Sequence, residues 1–328
     1  MKALLNRLIN HENICTEEAK QILINISKGE YNQAQIASFL TVYMMRGITV
    51  EELQGFRDAL LELCIRVDLE AYQPIDLCGT GGDGKNTFNI STLSSFVTAG
   101  AGVAVAKHGN YGVSSACGSS NVLEALGIKF SNDRDYLQRA METANICVLH
   151  APLFHPAMKN VAPIRKALGI KTFFNMLGPM VNPAFPKHQL VGVFNLELLR
   201  LYQYLYQQTD KNYSIVHDLG GYDEISLTNN AKIASNQSEL MFSPEDLGLK
   251  TISPETIFGG DTVDEATKIF KTIINGDGTK AQNDVICVNA GLAIATAQQI
   301  SHKEGYEQAK ESLLGGKAKT CLTKLIDL

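Results

Sequence analysis

The chain has 328 residues, 45% hydrophobic and 19% charged, with 29 lysines and arginines against 34 aspartates and glutamates for a net charge of −5. That is the make-up of a globular protein with a sizeable core, either one large domain or two ordinary ones. The acidic balance argues against a general polyanion binder, which needs a basic surplus to compete for phosphates.

The first stretch, MKALLNRLINHENICTEEAK, interrupts its apolar positions with Arg7 and His11. It fits a helix and lacks the unbroken apolar core of a signal peptide. No apolar run approaches the roughly 18 residues that span a bilayer. The seven cysteines are scattered without a CxxC pair, so they suggest neither a disulfide framework nor a zinc cluster and read as reduced cytosolic thiols. A cytoplasmic location is expected. To about residue 70 the pattern predicts a string of helices. Asn32 with Gln35, and Thr49 with Glu52, have capping-box spacing. Apolar residues follow at helical intervals: Ile36, Phe39, Leu40, Tyr43 and Met44, then Leu53, Phe56, Leu60, Leu63 and Cys64.

After Pro74 short apolar runs alternate with helical segments: PIDLCG, GVAVAKHG, ICVLH, QLVGVFN, YSIVH and DVICVNA. Runs of this kind suit strands buried on both faces, as parallel sheets with helical crossovers require. The expected fold class is α/β, a small all-helical N-terminal domain plus a large α/β domain with a mostly parallel central sheet. The helical domain is expected over 1–72, joined by part of a Pro- and Gly-rich crossing segment at 152–186 that reads as a hinge or cleft wall, and the α/β domain over 73–328.

The stretch CGTGGDGKNTFNIST places four glycines within residues 79–84 and leads into the helix STLSSFVTAGAG. Glycines let main chain approach a ligand and take positive φ, and a helix N-terminus offers free N–H groups, so a phosphorylated ligand fits. A tight turn with an ordinary helix cap fits too, because neither GxxxxGK[ST] nor GxGxxG is matched. Asp83 would repel phosphate unless a cation or a ligand hydroxyl intervened. In KHGNYGVSSACGSSN a strand end delivers Lys107, His108 and Asn110 into a Gly- and Ser-rich loop. Two such loops at neighbouring strand ends could converge on one anion, although either cation alone reads equally as a packed or solvated residue. Cys117 reads as a small packed thiol, with no base arranged beside it. Arg165, in a helix expected to begin near Pro163, could pair bidentately with a carboxylate or sit on a surface. Asp223 and Glu224 follow the strand YSIVH, either as Mg²⁺ ligands or as a solvated acidic turn. HExxH and GxSxG are both missing from the sequence, so hydrolytic nucleophile chemistry has no support.

Four blocks carry a family resemblance: GTGGDG with TFNIST, KHGN with the serines behind it, HPAMKNVAPIRKALGIKTFFNMLGPMVNP, and the DE pair of GYDEIS. In this order they resemble the anthranilate phosphoribosyltransferases of tryptophan biosynthesis, from the first helices to the C-terminus. The resemblance implies a homodimer, Mg²⁺, and transfer of phosphoribosyl from 5-phosphoribosyl 1-pyrophosphate to the amine of anthranilate, releasing pyrophosphate. It implies that the donor is held by Gly79, Gly82, Asp83, Thr87, Asn89, Ile90, Ser91 and Thr92, by Lys107, His108, Gly109, Asn110, Tyr111, Gly112, Val113, Ser114 and Ser115, and by Ser119. Mg²⁺ would fall to Ser91, Asp223 and Glu224, and anthranilate to Gly79, Asn110 and Arg165. No nucleophile is implied, and His108 is a candidate proton acceptor. Family members commonly carry Arg, Lys and Asp where this chain has Tyr111, Ala116 and Asn121. Two cations are thereby lost from a loop assigned to a polyanion, which leaves more of its charge to Lys107, backbone amides and metal.

Departure of pyrophosphate would leave a cation-like ribose carbon for the amine to attack from the opposite face, catalysed mainly by positioning and charge stabilisation. A helical layer closing over the donor would keep water away. Two other readings stand beside this one. Pyrimidine nucleoside phosphorylases share KHGN and the serine loop, but the chain is shorter than their extra C-terminal domain would require. A non-catalytic nucleic-acid-binding relative would need a basic stripe, against which the net charge and Asp223-Glu224 speak.

Overall fold

The computed structural model describes residues 1–112 and 117–328, and the chain divides into two compact units. The first comprises Met1–Arg66 with Ala151–Pro183, the second Val67–His150 with Ala184–Leu328.

The first unit is helical, built on α1 (Lys2–Ile9), α2 (Thr16–Ser27), α3 (Gln33–Arg46) and α4 (Val50–Leu63). Both expected capping boxes form: Asn32 and Gln35 exchange side-chain and backbone hydrogen bonds at 2.9 and 3.1 Å, and Thr49 and Glu52 at 3.2 and 3.0 Å. The apolar stripe meets aromatic partners from the crossing segment. Phe56 stacks on Phe173 at 4.6 Å, and the Phe39 and Tyr43 rings meet edge to face at 5.0 Å. Met44, at the margin of that stripe, turns out to solvent at 43% exposure. Arg46 and Glu52 form a buried ion pair at 2.8 Å. Its desolvation is offset because Glu52 also accepts the N–H of Ile14 at 3.1 Å.

The second unit is an α/β fold around one seven-stranded sheet, in the order β3-β2-β1-β4-β5-β6-β7. The strands are β1 (Ile75–Gly79), β2 (Val105–Gly109), β3 (Ile146–His150), β4 (His188–Gly192), β5 (Asn212–Asp218), β6 (Ala231–Ser235) and β7 (Glu239–Phe242). Strands β1 to β5 pair in parallel, and β6 and β7 add antiparallel. Five of the six apolar runs are these parallel strands. The sixth, DVICVNA, is corrected by the structure: it lies inside the helix Lys280–Gln298, which starts at a Thr279–Gln282 capping box and buries residues from Val285 to Thr296. A helix buried on all sides has the same unbroken apolar texture as a buried strand.

From β1 the chain builds outward through β2 and β3, then returns to place β4 on the other flank of β1. The order therefore reverses between β1 and β4, where open α/β sheets place their ligands. At that point Gly79 pairs with Gly192 in register.

Candidate functional site

The glycine-rich segment leaves β1 at the point of reversal. Gly81, Gly82 and Gly84 take φ of 64°, 77° and 74°, which side chains resist, and the helix α5 (Ile90–Gly100) follows. The paired glycines at the strand tips serve another purpose. A Cβ on Gly79 would lie 2.2 Å from Asp223 Oδ2, and one on Gly192 would lie 1.4 Å from the Asp223 carbonyl oxygen. Bare backbone on both strands is what admits the acidic pair.

The loop after β5 is a buried polar scaffold. Asp218, at the strand end, accepts the Gly220 N–H at 2.7 Å through Oδ1, and the Ser226 N–H and hydroxyl at 3.2 and 2.6 Å through Oδ2. From the helix Lys280–Gln298, Asn289 accepts the Ile225 N–H at 3.0 Å and donates to the Ile225 carbonyl at 2.9 Å. Buried Leu227 sits at φ 61°, a conformation that costs a branched side chain on the order of 1–2 kcal/mol. So braced, Asp223 Oδ2 accepts the N–H of Gly81 at 2.7 Å, and Glu224 Oε1 accepts the N–H of Ser91 at 3.3 Å. Glu224 thus takes up part of the N-terminal end of α5, where a carboxylate is favoured.

Burial and the nearby charge of Asp83 push Asp223 up to about 7. Glu224 is raised well above its ordinary value by burial, then by Asp223 and Asp83, and Asp83 itself is raised by burial. Burial and their mutual charge make the three carboxyls resist ionising together, while Lys85 pulls Asp83 and Lys107 pulls Glu224 the other way. Among the described residues no three His, Cys, Asp or Glu side chains already make a metal cage. A cavity of about 20 Å³, roughly one water in size, lies among Ser91, Asp223, Glu224 and Asn289.

Of the other residues assigned to the donor, Ile90 and Thr92 are buried, Gly82 is half-buried, and Thr87 forms an isolated bridge with Phe258. Asn89 Nδ2 donates to the Cys117 carbonyl at 3.2 Å, tying the two loops together. Lys107 is 1% exposed and its Nζ donates to the Leu77 carbonyl at 2.8 Å. Its ammonium thus sits inside the sheet, its pKa lowered by burial against an opposing pull from Asp76. His108 is buried, its N–H donated to Asp76 Oδ1 at 3.1 Å. Gly109 leaves room for Ser119, whose Oγ donates to the Asn110 carbonyl at 3.2 Å. Asn121 Oδ1 accepts both Gly112 N–H and Gly118 N–H at 3.0 Å, a task either Asn or Asp performs. Tyr111 packs its ring edge on His150 at 4.8 Å. Val113, Ser114, Ser115 and Ala116 lie outside the described residues.

Arg165 belongs to the helical unit, on the helix Ala162–Leu168. Its Nη2 donates to Asn175 Oδ1 at 3.1 Å, its guanidinium lies 5.4 Å from the Phe174 ring centroid, and burial pushes its pKa down. Among the described residues its buried Nε has no hydrogen-bond partner. Sequence reading missed Asp218, Ser226 and Asn289. The signal for Asn289 was a lone amide in the apolar run VICVNAGLAIA.

The family model described as glycosyl transferase family, a/b domain matches residues 71–319, and the model described as its helical bundle domain matches 2–64. The chain is 66% identical over 328 residues to the anthranilate phosphoribosyltransferase of Flavobacterium psychrophilum, covering 100% of this chain and 99% of the relative. Its fold is similar to the anthranilate phosphoribosyltransferase of Thermus thermophilus, with a TM-score of 0.91, 32% identity and 98% of each chain covered. The Saccharomyces cerevisiae enzyme of the same name, solved in complex with PRPP and Mg, gives a TM-score of 0.89 at 26% identity, covering 100% of this chain and 98% of that one.

Proposed function

This chain belongs to the glycosyl transferase family, in its anthranilate phosphoribosyltransferase branch, and from that membership we infer that it moves the phosphoribosyl group of phosphoribosyl pyrophosphate (PRPP) onto the amine of anthranilate, releasing pyrophosphate. Full-length identity with relatives of this activity carries the substrate assignment, and the acidic pair set against a glycine loop at the sheet's reversal point supports it.

Ser91, Asp223 and Glu224 would hold Mg²⁺, which when bound neutralises the pyrophosphate and makes it a better leaving group. The chain's own residues do the rest by positioning. The loop from Gly79 to Thr92 and the loop from Lys107 to Gly112, backed by Ser119, would present main-chain N–H groups and small polar side chains to the donor, and the family resemblance adds Val113, Ser114 and Ser115 to the donor's contacts. Lys107 would act from inside the sheet, as a fixed positive charge beneath the site. Arg165 would take the anthranilate carboxylate with its free Nε edge, with Gly79 and Asn110 as further contacts. An arylamine is largely unprotonated near neutral pH, so no strong base is required before attack, and His108 is the candidate to accept the proton late.

Among the described residues no helix is long and apolar enough to cross a membrane; with its seven cysteines unpaired, this supports a cytoplasmic location. A homodimer is part of the reading, as the family resemblance implies. The deciding assay mixes purified protein, Mg²⁺, PRPP and anthranilate and follows anthranilate fluorescence. Loss that depends on both PRPP and Mg²⁺ is expected. Loss of thymidine with phosphate, and none of anthranilate, would replace this reading with nucleoside phosphorolysis.

A further inference from the structure

The geometry points to residues Ile257–Gly260 as a positioning clasp for the donor loop, a role that rests on reading that loop as the PRPP site. The segment runs antiparallel to Asn86–Phe88, with Thr87 bridged to Phe258. Gly259 N–H donates to the Asn86 carbonyl at 2.9 Å, and Phe88 N–H donates to the Ile257 carbonyl at 3.1 Å. Asn86 Nδ2 closes the strip by donating to the Gly260 carbonyl at 3.1 Å. The approach is as tight as backbone allows: a Cβ on Gly259 would lie 2.3 Å from the Thr87 carbonyl oxygen and 2.8 Å from the Phe88 nitrogen.

The clasp is anchored at both ends. Ile257 is 1% exposed. Beyond Gly260, the helix Val263–Ile274 starts from a Thr262 cap, and its Phe270 meets Phe96 of α5 edge to face at 6.1 Å. The donor loop leads into α5, so the clasp grips the loop and the core holds the clasp against the helix that the loop starts. The loop's other end is held by Asp223 on Gly81. Between these two fixings lie Gly82 and Asp83, with Thr87 in the clasp and Asn89 just beyond it. A ligand reaching this loop finds its amides already aligned, which lowers the cost of ordering on binding.

The test compares Gly259→Ala and the milder Asn86→Ala with the wild-type enzyme, by steady-state kinetics in each substrate and by calorimetry of PRPP binding with Mg²⁺. Gly259→Ala should raise the KM and Kd for PRPP by about tenfold or more, with the anthranilate KM within about twofold. Asn86→Ala should move the same constants in the same direction, by about threefold. A general loss of structure would move both substrates together and lower the melting temperature, and that result would overturn the inference. So would an Asn86→Ala enzyme with wild-type PRPP affinity, which also decides the matter if Gly259→Ala does not fold. An inactive wild type that binds no PRPP would sink the functional reading itself, whereas an active wild type with indifferent variants sinks only the clasp.

Discussion

Asp223 and Gly81 are 142 residues apart in the chain, yet the carboxylate of one accepts the backbone N–H of the other at 2.7 Å. This bond fixes the glycine loop to the acidic pair, and it exists because Gly79 and Gly192 present no side chain between them.

Gly79→Ala should therefore damage the site more than the fold. Its Cβ would fall 2.2 Å from Asp223 Oδ2, and displacing that carboxylate should lower kcat/KM by about 100-fold. Gly81→Ala has open space around its Cβ and should cost only about 1 kcal/mol of left-handed strain. Kinetics and thermal melting on both variants check the contrast.

Asp223 is raised to about 7, so between the ordinary carboxylate range and that value the native state binds a proton more tightly than the unfolded chain. The metal-free protein should lose stability as pH climbs through this window. A divalent cation favours the ionised form, so the melting shift produced by Mg²⁺ with PRPP should grow from about pH 5 to about pH 8. Asp223→Asn should weaken the pH dependence of that shift, leaving the part that Glu224 carries.

Burial lowers His155 of the helical unit to about 4. Its native form is neutral, so it favours folding above the unfolded value of about 6.5, and this is lost as pH falls from there toward 4, on the order of 3 kcal/mol in all. Imidazole proton NMR should show no titration at His155 down to about pH 5. A midpoint near 6.5 would contradict the buried neutral assignment.

Arg165→Ala should raise the anthranilate KM by about 10- to 100-fold and leave the PRPP KM nearly unchanged, as loss of a charge-assisted contact predicts. Arg165→Lys should rescue poorly, because an ammonium lacks the planar fork. An effect confined to PRPP would reassign the residue.

Asn289→Leu suits an apolar helix but leaves the Ile225 N–H and carbonyl without this partner. A loss of about 1–3 kcal/mol is expected, together with a higher Mg²⁺ requirement in activity titrations, since the acidic pair loses its brace.

The parallel strands were legible because buried β-runs are dense in apolar residues, and both helix starts at Asn32 and Thr49 were legible because a cap is local chemistry. Asp223-Glu224 and the glycine loop could be singled out, but not the reason for Gly192, whose requirement comes from the carbonyl of Asp223, far along the chain. Local pattern also misread DVICVNA, since burial on every side erases the periodicity that separates helix from strand. The choice between an interior and a solvated Lys107 was equally out of reach. A lysine at a strand end reads equally as packed or solvated, and only the fold shows a backbone carbonyl waiting for it.

The brace supplied by Asn289 carries a lesson for anyone shortening this protein. Every residue assigned to a ligand lies at or before Glu224, so a fragment ending near residue 275 would keep the full complement of contacts on paper. It would lack the buried helix Lys280–Gln298 and with it the amide that pins Ile225, so both the core and the seat of the carboxylates would be lost. Here the apparatus for recognition is written early in the polypeptide and made rigid by its tail.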